Sequence, residues 1–214
     1  MIKLPFNIKL GLSRRKKAPV FYMFEKNFTL YQLLSVIVRI KWVKVISKDE
    51  KSVTVELYGQ QLKLLNEYFL MLATEWQTWE KHYLPTFCLT GKFVLDVGAG
   101  CGETVFFYLL HGARKVVAIE PNTEAAKCLK ENAERNHWNM KLKQEPFKLE
   151  HLSIPHDFMK MDIEGGEIEL LKVPYNKPCA IEVHSNATRR GLEEKGFVTT
   201  YERNGYFLVS FTPD

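Results

Sequence analysis

The residue types best suited to chemistry concentrate in the stretch Val94-Leu95-Asp96-Val97-Gly98-Ala99-Gly100-Cys101-Gly102-Glu103-Thr104. An apolar run meets three glycines at alternate positions, and a helical pattern follows. Glycine lets the backbone turn sharply and lets a ligand approach the main chain. The free N–H groups at a following helix start add positive potential. Glu120 closes the next apolar run, Val116-Val117-Ala118-Ile119, where a carboxylate can accept both hydroxyls of a ribose. The spacing separates two kinds of cofactor. A dinucleotide site uses G-x-G-x-x-G with a pyrophosphate at the helix start. This chain has G-x-G-x-G, and Asp96 stands before the first glycine, where it would repel a pyrophosphate and suit a cation or an amino group. The pattern favours S-adenosylmethionine, a nucleoside carrying an amino acid on a sulfonium. The bland alternative is a structural strand-to-helix turn with an incidental acid.

A second acidic cluster follows in Met159-Lys160-Met161-Asp162-Ile163-Glu164-Gly165-Gly166-Glu167 and Ile181-Glu182-Val183-His184. Strand residues alternate faces, so Asp162 pairs with Glu164 and Glu182 with His184. Both pairs would end strands of one parallel sheet, and ligands bind outside the carboxyl ends of such strands. A hydroxyl nucleophile needs a base to take its proton. His184 titrates near the working range, and a nearby carboxylate would raise it. Glu164 or Glu182 would serve if desolvated. The alternatives are structural: Asp162 caps a helix or binds a cofactor's amino group, Gly165-Gly166 is only a turn, and His184 is a structural strand-end residue. Carboxylates with imidazole suit Mg or Mn, but no spacing demands a metal and none is predicted. Enzymes that methylate base amines often carry Asn or Asp, two prolines and an aromatic after the fourth strand. Asp162-Ile163-Glu164-Gly165 stands there instead, which points towards oxygen methylation.

These residues need a scaffold, and the pattern supplies an α/β one. Strands are expected at 93–97, 116–119, 158–163 and 180–183, and helices at 103–111, 122–136, 167–172 and 187–195. Alternation of this kind implies a parallel sheet. Two last strands, 197–201 and 206–211, flank Asn204-Gly205, a tight-turn dipeptide, and add an antiparallel hairpin. Ahead of this body, residues 1–20 read as an arm or irregular segment. Thr29 caps an expected helix over 30–40, with Leu30, Leu33, Leu34, Ile37 and Ile40 on one stripe. A strand at 42–47, a hairpin through Val53, Val55, Leu57, Gly59-Gln60 and 62–65, and a helix at 66–82 ended by Pro85 complete a small α+β portion. The expected division is an N-terminal extension over 1–85 and a cofactor-binding domain over 86–214.

Composition bounds the rest. The chain has 214 residues, 46% of them hydrophobic, which excludes a disordered chain. The net charge of +5 divides into +8 for residues 1–50 and −3 for 51–214. Uniform coating of nucleic acid is excluded on that balance, and a basic arm remains. Arg14, Arg15, Lys16 and Lys17 suit RNA phosphates, a solvated surface or a substrate lid. Trp76, Trp79 and Tyr83, at helical spacing, suit base stacking or a core. Cys88, Cys101, Cys128 and Cys179 are widely spaced without a C-x-x-C pair, which argues for reduced thiols in an intracellular protein. The apolar run 33–40 falls well short of the roughly 20 residues that span a bilayer. No signal-peptide pattern follows the basic start, so a soluble, cytoplasmic protein is expected.

At the level of motifs, Asp96 to Thr104 and Ile119-Glu120-Pro121-Asn122 resemble the class I S-adenosylmethionine-dependent methyltransferases. The segments at 159–167 and 181–184 narrow the resemblance to the FkbM-type methyltransferases. The similarity covers residues 91–211. It departs in the short connection between Asn136 and Phe158 and in the N-terminal portion, which carries no family motif. The resemblance implies a Rossmann-like, mostly parallel seven-stranded sheet with helices on both faces. It places Gly98, Gly100 and Gly102 under the cofactor, and Asp96 and Glu103 near its methionine part. Glu120 falls at its ribose with Asn122 nearby, and Gln144 and Glu145 by its adenine. Three functions follow as expectations: methylation of a small-molecule or glycan-type hydroxyl, methylation of RNA through the basic segment, or cofactor binding without turnover.

Overall fold

A computed structural model describes residues 9–13, 18–23, 26–28, 43–203 and 205–212, the segments before residue 43 by their backbone alone. The chain divides between Gln77 and Thr78 into two compact units.

In the first unit, β1 (Lys9–Ser13), β2 (Ala18–Met23) and β3 (Lys26–Phe28) form an antiparallel sheet, with Lys9 opposite Tyr22 and Ser13 opposite Ala18. The sequence reading expected an irregular arm over 1–20. Five residues are too short a run to show a period, and it is the pairing partner that makes Lys9–Ser13 a strand. The expected helix over 30–40, its Thr29 cap and the basic residues 14–17 lie outside the described residues. A second antiparallel sheet joins β4 (Lys44–Lys48), β5 (Ser52–Leu57) and β6 (Gln60–Leu65). Its hairpin turns at Tyr58 and Gly59, both at positive φ (49° and 78°), as a tight two-residue turn requires. Val53, Val55, Leu57, Leu62 and Leu64 alternate inward and are buried. Helix α1 (Asn66–Tyr83) then spans the division between the units.

The second unit continues with β7 (Phe93–Val97), α2 (Glu103–Leu110), β8 (Lys115–Ile119), α3 (Thr123–Asn136), β9 (Met140–Lys143) and β10 (Phe158–Met161). After β10 come a 3-10 segment (Gly166–Lys172), β11 (Cys179–Val183), α4 (Asn186–Glu193), β12 (Val198–Arg203) and β13 (Tyr206–Phe211). The seven strands are ordered β12-β13-β11-β10-β7-β8-β9. The five from β11 to β9 are parallel, and β13 runs antiparallel to both β11 and β12. Central strands of such a sheet are covered on both faces and read as apolar runs. Leu95, Val97, Ile119, Met159, Met161, Ile181 and Val183 accordingly form the core with Leu192, Phe197 and Val209. The expected fold class is the one observed.

Two details differ from the pattern reading. Strand β9 was not foreseen, because Met-Lys-Leu-Lys is a short edge segment with no apolar run. The strand expected over 158–163 stops at Met161, so Asp162 and Glu164 stand beyond the sheet. The chain leaves β7 towards β8 and β9 on one side and returns to β10 and β11 on the other. That reversal is the switch point where open α/β sheets bind ligands, and both motif clusters fall at its carboxyl ends. Among the described residues no helix is long and apolar enough to cross a membrane. None of the four cysteines forms a disulfide; Cys88 is exposed and the other three are buried.

Candidate functional site

The glycine turn joins β7 to α2. Gly98, Gly100 and Gly102 all have left-handed φ, at 77°, 54° and 93°. A Cβ on Gly98 would stand 1.9 Å from the carbonyl oxygen of Asp162, and one on Gly102 would stand 2.4 Å from Leu129 Cδ1. The protein's own packing therefore already demands two of the glycines that the sequence reading assigned to a ligand.

Acids line this turn. Asp96 is fully buried; its Oδ2 accepts a 2.6 Å hydrogen bond from Thr104 Oγ1, and its Oδ1 has no hydrogen-bond partner. Glu103 opens α2, is 1% exposed, and leaves Oε2 without a partner. Burial pushes the Glu103 carboxyl up to about 8, and burial also raises Asp96 against the pull of Lys160. Glu120 accepts from Gly100 N–H through Oε2 and from Asn122 N–H through Oε1, each at 2.8 Å. Burial raises its pKa while those two amides pull it back. Each of its oxygens keeps a second lone pair, so Glu120 braces the turn and still offers acceptors.

Other expected contacts are placed differently. Asn122 Oδ1 accepts from Glu124 and Ala125 N–H (2.9 and 3.1 Å), so its oxygen serves as the N-cap of α3. Gln144 is exposed, and its Oε1 accepts from Lys130 Nζ at 3.3 Å. Glu145 is held by Lys148 Nζ (2.9 Å) and His151 Nε2 (3.2 Å). The Lys148 hydrogen bond, then that of His151, takes its carboxyl down to about 2.

Lys160 was assigned no role in the sequence reading. It lies in β10 directly opposite Asp96 in β7 and is 2% exposed. Its Nζ donates to Gly98 O at 2.7 Å and stands 3.5 Å from Asp96 Oδ1. Burial opposes its charge, but Asp96, with Asp162, Glu103 and Glu182, holds its pKa above the ordinary lysine value. A lysine inside an apolar strand was the available signal.

The second cluster begins where the first ends, since the Asp162 N–H donates to Val97 O at 3.0 Å while its carbonyl backs Gly98. The structure brings all four expected groups together. His184 Nε2 stands 3.5 Å from Glu164 Oε2, 3.7 Å from Glu182 Oε1 and 3.9 Å from Asp162 Oδ1. Glu164 is a left-handed residue (φ 50°) whose side chain is 84% exposed. Two further residues fix the group. Tyr83 Oη donates to Glu182 Oε2 at 2.9 Å. The fully buried Glu167 accepts from Gly165 N–H (2.7 Å), from His184 N–H (2.8 Å) and from His184 Nδ1 (3.3 Å). Burial alone would raise Glu167, but the hydrogen bonds from His184 hold its pKa below the ordinary value. Glu167 was quoted in its motif without a role; an acid just after Gly165-Gly166 was its only mark. Tyr83 and Trp79 are buried, with Trp79 edge-on to Phe107, so these two aromatics are core residues.

The Glu167 hydrogen bond, helped by the charges of Glu164 and Asp162, takes His184 up to about 9. At neutral pH the ring is an imidazolium. Burial, then the charge of Asp162, raises Glu182.

No family model and no curated protein matches the chain. Solved structures do. TYW2 of M. jannaschii, in complex with AdoMet, is 16% identical at a TM-score of 0.55, over 78% of this chain and 87% of that one. The T. thermophilus 16S rRNA N2 methyltransferase RsmC, in complex with AdoMet and guanosine, is 15% identical at 0.52. This chain aligns over 83% of its own length there and spans 59% of RsmC. SMU.776, complexed with SAH, is 11% identical at 0.53 over 77% of this chain, which spans 56% of it. The chain thus has the Rossmann-like methyltransferase fold.

Proposed function

We propose that this chain is an S-adenosylmethionine-dependent methyltransferase acting on a hydroxyl of a small-molecule or glycan-type acceptor. The observation that carries the reading is the buried Glu103 Oε2 without a donor, close to the equally buried Asp96 whose Oδ1 has Lys160 Nζ at 3.5 Å, at the glycine turn of this fold. Buried polar atoms are nearly always paired, and a ligand with a cationic amino-acid end supplies what Glu103 Oε2 lacks. In this reading residues 86–214 hold the cofactor and 1–85 form the extension. Gly98, Gly100 and Gly102 pass beneath it, Asp96 and Glu103 receive its amino-acid part, and the spare lone pairs of Glu120 receive the ribose hydroxyls. Bound there, S-adenosylmethionine supplies an electrophilic methyl group on a sulfonium.

The acceptor's proton needs a destination. His184 is already protonated at neutral pH, so it does not take it. Glu182 is the better base, because burial brings its pKa nearer the working pH, with Oε1 facing His184 Nε2 at 3.7 Å while Tyr83 holds Oε2. Glu164 is the exposed second acceptor. The His184 imidazolium, oriented by Glu167, steadies both.

The test is calorimetric titration of the purified full chain with S-adenosylmethionine and its demethylated product. Labelled donor is then offered to hydroxylated metabolites and to total RNA, with products read by mass spectrometry. Absence of saturable binding defeats the reading. Methyl transfer to RNA, salt-sensitive and lost on neutralising Arg14, Arg15, Lys16 and Lys17, would replace the acceptor. Tight binding without transfer to any pool would make the chain a binding protein.

A further inference from the structure

We propose that Asp162 Oδ1, Glu182 Oε1 and His184 Nε2 bind one hard divalent cation, with Mn2+ as its best probe. The three side chains offer ligand atoms within 4.8 Å of one another. Nε2 is 3.7 Å from Glu182 Oε1 and 3.9 Å from Asp162 Oδ1. Metal–ligand bonds of about 2.0–2.2 Å put neighbouring ligand atoms about 3–3.5 Å apart. The set therefore closes on an ion with side-chain shifts of about half an ångström.

The imidazole is prepared for this. A carboxylate only accepts hydrogen bonds, so the contact with Glu167 Oε1 puts a proton on Nδ1 and turns Nε2 towards the carboxylates. Nε2 is buried and has no hydrogen-bond partner. Histidines that ligate metals are characteristically held this way, with the other ring nitrogen on a carboxylate. Glu182 is prepared too, since Tyr83 fixes Oε2 and leaves Oε1 to point at Nε2.

Charge points the same way. Asp162, Glu164 and Glu182 converge on one imidazole nitrogen, and the ion takes the place of the proton that Nε2 otherwise carries, releasing it to solvent. The nearest buried cation, Lys160, is committed to Gly98 O and Asp96. Carboxylate oxygens with a single imidazole and no thiolate suit Mn2+ or Mg2+.

The site stands on these side chains alone; its effect on an acceptor rests on the function proposed above. A hydroxyl oxygen coordinated to the ion loses its proton more readily. With the ion bound, Glu182 serves as ligand and the proton-accepting role it has in the metal-free protein passes to Glu164, exposed and 3.5 Å from Nε2.

The experiment uses the full chain freed of metal by EDTA and then dialysed. Mn2+ is titrated in and its free fraction read by electron paramagnetic resonance, with circular dichroism confirming that each variant is folded. One Mn2+ per chain is expected. Binding disappears in His184→Ala and in Asp162→Asn, and weakens about 10–100-fold in Glu167→Gln. It persists in Glu150→Gln, an exposed acid paired with Lys148. No saturable Mn2+ binding, or binding that survives both His184→Ala and Asp162→Asn, overturns the proposal. S-adenosylmethionine is titrated into the same preparation in EDTA. Donor bound without any Mn2+ site overturns the cation site alone, and Mn2+ bound without donor overturns the methyl-donor reading alone.

Discussion

Replacing Glu103 by glutamine should make the protein more stable as pH rises and worse at holding its cofactor. Glu103 sits at the start of α2, 1% exposed, with one oxygen unpartnered. Burial first, then the charges of Asp96 and Glu120, moves its carboxyl from an ordinary 4.5 to about 8. An acid whose pKa is raised on folding contributes stability in full below the unfolded value and loses it as pH rises through the folded one. Between 4.5 and about 8 each pH unit therefore costs the wild type about 1.4 kcal/mol. From 4.5 to pH 7 the loss is about 3 kcal/mol, and by pH 8 it approaches about 5 kcal/mol. Glutamine does not ionise and escapes this slope. Its amide also needs a partner, a cost independent of pH, so the readout is the change in the stability difference with pH. Urea melts of both proteins at several pH values between 4.5 and 8 give it directly. The same ionisation that weakens the empty protein prepares it for a cation. Wild-type affinity for S-adenosylmethionine should rise up to tenfold per pH unit below about 8, and the variant's, which keeps only the raised Asp96 and Glu120 carboxyls, should rise less steeply. Parallel stability curves for the two proteins would refute the reasoning, because they would mean that Glu103 is solvated or paired.

Glu120→Ala removes the acceptor for the Gly100 and Asn122 amides and should weaken S-adenosylmethionine about 10–100-fold, the worth of a charge-assisted hydrogen bond; unchanged affinity by calorimetry removes the ribose assignment. Lys160→Met strands the buried Asp96 and should cost about 3–5 kcal/mol in denaturant melts, with much of it recovered by adding Asp96→Asn in a double-mutant cycle. His184→Ala should slow turnover and leave cofactor affinity intact; wild-type turnover would make His184 a structural residue. The pH profile of kcat should rise through the raised carboxyl range of Glu182 and level off early, whereas a rise continuing to about 9 would return the proton to His184.

Local pattern carried the sheet a long way. Apolar runs such as Phe93–Val97 declare themselves because both faces of a central parallel strand are buried, and a glycine turn between strand and helix is continuous in sequence. What escaped depends on pieces far apart in the chain. Lys160 acquires meaning only from the register that sets it opposite Asp96 across β10 and β7. Glu167 acquires it from the return of β11, which brings the His184 N–H to it. Strand β1 exists through its pairing with Ala18–Met23, and a five-residue segment holds no record of that. Gln144 and Glu145 show the same limit: Lys130, Lys148 and His151 hold those side chains, and spacing does not reveal which lysines stand beside an acid.

The same dependence on distant partners bears on the role expected of His184. One carboxylate near an imidazole tunes it upward into a useful range. This fold supplies several: Glu167 on Nδ1, with Glu164, Glu182 and Asp162 around Nε2. Together they carry the ring past the working range to about 9, so that only about one molecule in a hundred holds it neutral at pH 7. A base is made too strong to be free. The proton on Nε2 then acts as a placeholder for positive charge among converging carboxylates, and in the proposed reaction the basic role falls to Glu182, which burial raises against the pull of the Tyr83 hydrogen bond and the His184 charge. Whatever occupies the centre of that cluster, a proton or a divalent ion, the geometry requires it to be a cation. That requirement ties the second acidic group to the first, where the buried Asp96 and Glu103 lie by the turn that the backbone of Asp162 supports.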